Sequence, residues 1–170
     1  MLTPQQLIEL LKLAPLPVEG GLFRQTYCAE ENIPHSALPA RYPADKPFAT
    51  AIYYLLTSDP DSFSALHRLP TDEVYHFYLG DPVEMLLLFP DGGGRRVVLG
   101  QDIAGGQQVQ FVAPRGAWQG SRLVPGGQFA LLGTTMAPGF DPTDYEGGQR
   151  DDLLARYSGH AELIRALTRA

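Results

Sequence analysis

The stretch SALHRLPTDEVYHFYLG, residues 64–80, decides the fold class of this chain. It holds two β-prone segments separated by turn-forming residues at 69–72. Six residues of extended strand would place His67 about 20 Å from Glu73, too far for both side chains to contact one ligand. We therefore expect the chain to turn at 69–72 and to bring the two side chains together across adjacent strands.

The second segment has an aromatic face, because alternate residues of a strand point to the same side. The residues expected on one face are Glu73, Tyr75, Phe77 and Leu79. A carboxylate beside aromatic rings is desolvated, which raises its pKa and suits proton transfer if His67 or Arg68 lies near Glu73. The alternative is a structural ion pair between Glu73 and Arg68, and spacing alone favours neither. His76 falls on the opposite face, where we expect it to donate one structural hydrogen bond.

Short β-prone segments recur along the chain about every ten residues, with Gly, Pro, Asp and Asn between them. The nine predicted strands are 22–28, 48–56, 63–67, 73–79, 83–89, 95–99, 107–112, 118–123 and 128–135. A capped amphipathic helix begins at Thr3-Pro4, and two short helices follow Asp151. This order predicts an all-β fold with short flanking helices, as a sandwich, jelly roll or small barrel. The turn-rich segment 139–144 is expected to cover one barrel mouth or to join the barrel to a helix.

The composition restricts the class of protein and its partners. With 170 residues, 44% of them hydrophobic, the chain suits a single domain. Thirteen Lys and Arg against nineteen Asp and Glu give a net charge of −6, which disfavours nucleic acid and anionic membranes as partners. The single Cys28 excludes an internal disulfide, and the N-terminal sequence lacks a signal-like or membrane-spanning run. We expect a cytoplasmic protein.

Six motifs in chain order carry a family resemblance. They are Glu19-Gly20-Gly21-x-Phe23-Arg24, Ala51-Ile52-Tyr53-Tyr54-Leu55-Leu56, His67-Arg68, Asp72-Glu73-x-x-His76-Phe77-Tyr78-x-Gly80-Asp81-Pro82, Pro114-x-Gly116-x-Trp118-Gln119 and Ala137-Pro138-Gly139-Phe140-Asp141. This series resembles the cupin superfamily, and within it an uncharacterised bacterial and fungal subfamily. The resemblance implies a double-stranded β-helix (jelly-roll) barrel, a cavity of small-molecule size and a homodimer. It places one cupin domain over residues 1–170, with an N-terminal helix in 1–14, the barrel at about 20–138 and C-terminal helices in 150–169.

The resemblance also bears on metal binding. A metal-binding cupin offers two His and one Glu from its first motif and one His from its second. In this chain Leu69 stands at the second His position and Gln119 at the last. His67, Glu73 and Gln119 remain as a weak three-point site for a divalent transition metal, and we expect no tightly held cofactor. The alternative for Gln119 is a hydrogen bond that orients Glu73 or a ligand hydroxyl.

These considerations define the candidate site. The candidate catalytic residues are His67, Glu73 and Tyr75, and the candidate ligand-binding residues are Glu19, Arg24, Arg68, His76, Trp118 and Gln119. For Glu19 and Arg24 the alternatives are a tight turn at Gly20-Gly21 and an ion pair between the two side chains.

Three hypotheses of function follow. The first is an isomerase or epimerase of a sugar-like or small polar metabolite, with proton transfer by His67 and Glu73 and with Tyr75 as an acid. The second is a non-catalytic metabolite-binding or storage-type cupin, and the third is a weak metal-dependent enzyme. Aromatic residues on several strands, including Tyr54, Tyr78 and Trp118, also suggest a homodimer.

Overall fold

Two antiparallel β-sheets face each other in the computed structural model, which describes residues 2–169. The larger sheet has the spatial order β1 (Ala14–Pro15), β2 (Leu22–Cys28), β5 (Thr50–Thr57), β12 (Phe129–Met136), β7 (Glu73–Gly80) and β10 (Gln110–Ala113). The smaller sheet has the order β13 (Glu146–Gly147), β6 (Ser64–Arg68), β11 (Trp118–Leu123), β8 (Val83–Leu88) and β9 (Gly94–Leu99). A separate ribbon pairs β3 (Asn32–Ile33) with β4 (Lys46–Pro47). Met1 and Ala170, the ends of the predicted domain and of its segment 1–14, lie outside the described residues.

Three α-helices cover the outer faces of the sheets in the described part of the chain. The helices are α1 (Pro4–Leu11), α2 (Arg150–Arg156) and α3 (Ala161–Ala166). The predicted cap of α1 is present, because the Thr3 hydroxyl accepts a hydrogen bond from the Gln6 backbone at 3.2 Å while the Gln6 side chain accepts one from the Thr3 backbone at 2.9 Å. Within residues 2–169, every helix is too short or too polar to cross a membrane.

The main core lies between the sheets. Tyr54, Tyr75 and Phe77 from the larger sheet pack with Met85 and Leu87 from the smaller one. Two satellite cores lie outside, where α1 packs on the larger sheet and α2 and α3 pack on the smaller sheet. The prediction of an all-β fold with short flanking helices is therefore confirmed.

The longer strands follow the sequence pattern, and the departures have local causes. Each of the nine predicted strands overlaps one of the longer strands among residues 2–169. The strands β1, β3, β4 and β13 were not predicted, because two residues show no period. A register shift between β7 and β12 leaves Tyr78 unpaired in the ladder and turns Leu79 outward, towards Leu131. The prediction that Leu79 shares the face of Glu73 is wrong for this reason.

The turn at 69–72 crosses from one sheet to the other. His67 ends up in the smaller sheet and Glu73 in the larger one, so the prediction that they meet across adjacent strands is wrong. The crossing is held by a hydrogen bond from the Gly116 backbone to the Leu69 carbonyl at 2.9 Å and by the buried Thr71, whose hydroxyl lies 2.8 Å from that of Tyr42. The two side chains therefore face each other from opposite walls of the sandwich.

Candidate functional site

A cavity of about 730 Å³ lies between the two sheets. Its walls are mostly apolar and include Leu16, Phe23, Ile52, Leu69, Met136 and Phe140. Polar side chains also contribute to the lining, and among them are Glu19, His67, Glu73, Thr134 and Tyr145. The volume falls in the range of about 300–1,000 Å³ that is usual for small-molecule sites.

Both ring nitrogens of His67 lie within hydrogen-bond distance of protein groups. Its Nδ1 atom lies 2.8 Å from the Ala65 carbonyl, which only accepts hydrogen bonds, so Nδ1 carries the proton. Its Nε2 atom then accepts a hydrogen bond from the side-chain amide of Gln119 at 3.2 Å. The ring stacks on Tyr145, with the ring centroids 5.1 Å apart. Both ring nitrogens are therefore engaged by the protein.

Gln119 links His67 to Glu73. It lies opposite His67 on β11, and its amide nitrogen also donates a hydrogen bond to Glu73 Oε2 at 2.6 Å. Tyr75 donates a second hydrogen bond to the same carboxylate oxygen at 3.1 Å. Glu73 Oε1 accepts no hydrogen bond from residues 2–169, and Glu73 belongs to the cavity lining. One carboxylate oxygen is therefore held by the protein, and the other is available to a ligand.

Glu19 brings a second carboxyl group to the cavity. It lies in the turn between β1 and β2, where the Ser64 hydroxyl donates a hydrogen bond to Glu19 Oε1 at 2.8 Å. Burial raises the pKa of the Glu19 carboxyl above its ordinary value; the nearby His67 opposes this effect and Glu73 adds to it. The structure thus places Glu19, His67 and Glu73, from three separate elements, in the lining of one cavity.

The tyrosines around these groups keep their protons at neutral pH. Burial raises the pKa of Tyr75 well above its ordinary value, and the neighbouring Glu73 charge acts in the same direction. Burial likewise raises the pKa of Tyr145 to about 12. Tyr75 therefore acts in this geometry as a hydrogen-bond donor to Glu73, while its predicted role as an acid stays a prediction.

Other predicted ligand-binding residues lie away from the cavity wall. Arg68 bonds Glu146 at 2.6 and 2.8 Å and lies over the ring of Trp118, so the alternative of an Arg68 ion pair with Glu73 is not found in the described structure. Strand alternation is the reason, because Arg68 follows the inward-facing His67 and Trp118 precedes the inward-facing Gln119.

His76 lies on the face that strand alternation predicts for it, and Arg24 lies in the cavity lining. His76 lies on the outer face of the larger sheet, where its ring nitrogens contact Gln110 at 3.3 Å and Thr135 at 3.5 Å. Arg24 belongs to the cavity lining, but its guanidinium lies over the ring of Tyr53 at 5.5 Å. Among residues 2–169 it forms no ion pair with Glu19, so the predicted pair is not found.

Ser64 and Tyr145 are site residues that the sequence reasoning missed. Ser64 belongs to β6, and a register irregularity between β6 and β11 changes the alternation near it, so no periodic signal identifies it. Tyr145 follows the turn-rich segment 139–144, which does contribute Phe140 and Pro142 to the cavity lining. The expected position of that segment over a barrel mouth was the one sequence feature that could have indicated Tyr145.

Residues 5–147 match the family described as Cupin superfamily (DUF985). The chain belongs to this family. The predicted cupin membership is therefore confirmed at the level of the family, while the individual motifs stay interpretations.

Relatives of this cupin resemble it over most of their length. Protein SO0799 from Shewanella oneidensis is 31% identical, with 99% of each chain covered and a TM-score of 0.86. A hypothetical protein from Leishmania major is 27% identical, with 99% of this chain and 100% of that chain covered and a TM-score of 0.87. The uncharacterized protein YML079W of Saccharomyces cerevisiae is 29% identical over 149 residues, which cover 83% of this chain and 73% of the yeast protein.

More distant cupins share only the fold. A dTDP sugar isomerase from Desulfovibrio desulfuricans is 17% identical, with 76% of this chain and 85% of that chain covered and a TM-score of 0.50. An oxalate decarboxylase from Lactobacillus farciminis is 12% identical, with 94% of this chain and 43% of that chain covered and a TM-score of 0.51. At these identities the likeness concerns the arrangement of strands.

The residues at the predicted metal position do not fit a divalent cation. Within residues 2–169, no group of three or more His, Cys, Asp or Glu side chains is arranged to hold a metal ion. The amide of Gln119 presents its nitrogen, a donor, towards both His67 and Glu73. In this orientation the amide offers a cation no lone pair, so His67 and Glu73 are the two ligands present at that place.

Proposed function

We propose that this protein binds a small polar, sugar-like metabolite in its cavity and isomerises or epimerises it by proton transfer at Glu73. The observation that carries the proposal is the free Glu73 Oε1 atom in an otherwise mostly apolar cavity of about 730 Å³. A carboxylate with one oxygen held and one oxygen free is suited to remove a proton from a bound ligand.

The neighbours of Glu73 support its role as a base. Gln119 and Tyr75 both donate to Oε2, and these two hydrogen bonds fix the orientation of the carboxylate. His67 accepts a hydrogen bond from the same amide and so holds Gln119 in place. In this proposal Glu73 carries the proton, and His67 acts through Gln119 on the position of the carboxylate.

The lining suggests the chemical class of the metabolite. Phe23 and Ile52 offer apolar surface to the C–H face of a small ring, while Thr134 offers a hydroxyl to its polar groups. Lys12 and Arg24 also belong to the lining and form no ion pair in the described residues. Two cations without anionic partners suit a ligand that carries a carboxylate, such as a sugar acid.

A second candidate is a metabolite-binding protein without turnover. It is favoured by His67, whose two nitrogens are both occupied by the protein. In that case the same polar groups orient a bound ligand, and the ligand dissociates without having reacted.

One experiment separates the two candidates. Native mass spectrometry of the freshly purified protein identifies a retained metabolite, which is then incubated with the protein in D2O. We expect deuterium to enter a C–H position of the metabolite, and Glu73→Gln to slow this exchange by about 10²-fold or more. The exposed Glu30→Gln serves as the matched control and is expected to exchange at the wild-type rate. A bound metabolite that gains no deuterium at carbon would identify a binding protein.

A further inference from the structure

The turn that carries Glu19 is held from several sides. The Tyr54 hydroxyl donates to the Gly20 carbonyl at 3.0 Å, and the Arg169 guanidinium donates to the Val18 carbonyl at 3.3 Å. The Ala65 backbone donates to the Glu19 carbonyl at 2.8 Å. These bonds come from β5, β6 and the C-terminal segment. They fix the position of one acidic residue at the edge of the cavity.

The backbone of this turn is strained before Glu19, at Val18, and requires glycine after it, at Gly20. Val18 has a φ of 68°, in the left-handed region that β-branched residues avoid, and Gly20 has a φ of 102°. A side chain at Gly20 would collide with the Phe63 carbonyl, 2.4 Å from the position of a Cβ atom. Strained backbone persists only where the surroundings enforce it, and it concentrates at functional sites.

Glu19 and Glu73 have different environments although they share the cavity. Glu73 accepts two hydrogen bonds on Oε2, whereas Glu19 accepts one, from Ser64. The carboxyl group of Glu19 is enclosed although the residue as a whole is half-buried, and burial raises its pKa. Glu19 Oε2 accepts no hydrogen bond from residues 2–169, and Glu19 belongs to the cavity lining. Of the two carboxyl groups, Glu19 therefore has the fewer hydrogen-bond donors and a pKa raised by burial, and both features favour a proton on Glu19.

We propose that Glu19 is the proton donor of this site and acts on an α-hydroxy carbonyl ligand. This inference rests on the proposed function. Glu73 Oε1 takes a proton from the carbon beside the carbonyl, the C–H electron pair becomes a C=C bond, and the carbonyl oxygen takes the proton of Glu19 as its π pair moves to oxygen. The product of this step is an enediol. Reversal of both transfers at the neighbouring carbon gives the isomer, with no net oxidation.

The proton of Glu19 depends on the groups that face it. The titratable and charged groups around its turn are Tyr54 on β5, His67 on β6, Glu73 and Tyr75 on β7, Tyr145 before β13, and Arg169 in the C-terminal segment. Of these, Glu73 opposes the ionisation of Glu19 and His67 favours it.

The first test follows the glutamate carboxyl carbons by ¹³C NMR as the pH is varied. The signals missing in Glu19→Gln and in Glu30→Gln identify the buried and the exposed carboxyl groups. We expect Glu19 to titrate at a higher pH than Glu30, to move lower in Glu73→Gln and to move higher in Ser64→Ala, which removes its hydrogen-bond donor. If Glu19 titrates together with Glu30, it does not enter the cavity as an acid and the proposal is overturned.

The second test uses D-glucuronate, an α-hydroxy aldehyde with a carboxylate, as the probe in D2O. We expect deuterium at the carbon beside its carbonyl with the wild-type protein, and a loss of about 10²-fold in Glu19→Gln. Glu19→Gln keeps an acceptor for Ser64, and Glu19→Asp should restore part of the rate because it keeps an acid. Wild-type exchange rates in Glu19→Gln would overturn the proposal. Absence of exchange in the wild type would instead count against the proposed function on sugar acids, and the titration alone then decides the role of Glu19.

Discussion

The side-chain amide of Gln119 donates a hydrogen bond to Nε2 of His67 across 3.2 Å, from the position opposite His67 on the neighbouring strand. The same nitrogen donates to Glu73 on the facing sheet at 2.6 Å. A single amide thus spans the interior of the sandwich. Its orientation determines which oxygen of Glu73 is left for a ligand.

Replacement of Gln119 by Leu should destabilise the fold. The variant leaves a buried carboxylate oxygen and a buried imidazole nitrogen short of a donor, and each loss costs about 1–3 kcal/mol. We expect the free energy of unfolding, measured in urea, to fall by about 3 kcal/mol. Gln110→Leu is the matched control, because Gln110 also contacts a histidine, His76, but lies at the surface. A similar loss in both variants would contradict this account.

A metal site should be obtained by two substitutions. Leu69 lines the cavity beside His67 and Glu73, and Gln119 lies within hydrogen-bond distance of both. Leu69→His combined with Gln119→His supplies two imidazoles to this pair, a set that suits zinc and other divalent transition metals. Elemental analysis of protein purified without an affinity tag should find about one ion per chain in the double variant. Equal metal content in the wild type would show that the native set binds after all.

The free energy of unfolding should depend on pH through the ionisation of Glu19. Its pKa is raised by burial in the folded state, so between the unfolded pKa, about 4.3, and the folded pKa the native protein binds more protons than the unfolded chain. Stability is therefore lost as pH rises through that window, by at most about 1.4 kcal/mol per pH unit. Glu19→Gln cannot titrate and should gain stability relative to wild type over the same window in urea unfolding. A constant difference from pH 4 to pH 8 would argue against the raised pKa.

Lys46 and Asp144 form a fully buried ion pair with an N–O distance of 2.5 Å. Asp144 directly precedes Tyr145, whose ring stacks on His67. Asp144→Asn leaves a buried ammonium without its anion and should cost about 3–5 kcal/mol of unfolding free energy. The double variant Lys46→Met with Asp144→Leu should lose less than Asp144→Asn alone, because no charge is left buried.

A matched control for this pair is available. Glu84 lies 3.2 Å from Arg122, and the two side chains retain 18% and 30% of their exposure. Glu84→Gln should change the unfolding free energy by about 1 kcal/mol or less, since solvent screens partly exposed pairs. If the double variant Lys46→Met with Asp144→Leu is less stable than Asp144→Asn, the unpaired buried charge is not the main cause of the loss.

We expect a homodimer, although two of the three aromatic residues that suggested it are wholly or partly buried. Tyr54 is buried in the core and Trp118 is half-buried beneath Arg68, whereas Tyr78 keeps 42% of its exposure. Tyr27 and Val112, also on the larger sheet, are exposed apolar residues. Light scattering should give about twice the chain mass of 18.6 kDa, and Tyr78→Ser should shift the mass towards that of one chain. A monomer mass for the wild type at micromolar concentration would contradict the expectation.

The sequence predicted the local features of this molecule better than its long-range contacts. The cap of Thr3 and Gln6 was predictable because both partners lie within one helical turn. The inward direction of Glu73 followed from a period of two. Its placement opposite His67 on a different sheet did not, because a period identifies the face of a strand and not its neighbours.

The missed parts of the site have the same explanation. Ser64 reaches Glu19 from 45 positions along the chain, and Tyr145 reaches His67 from the far end of the barrel sequence. Both contacts arise from tertiary packing, and no periodic pattern in the sequence indicates them. The outward turn of Leu79 arises from a bulge, which depends on the partner strand β12.

The short crossing at 69–72 has a consequence for variation in this protein. Surface connections elsewhere in the chain can lengthen or shorten with little effect, since each added residue changes loop entropy only slightly. Here the connection also sets the span between an imidazole and a carboxylate carried by opposite walls. An insertion or deletion within these few residues would therefore change the spacing of these two groups before it changed the architecture.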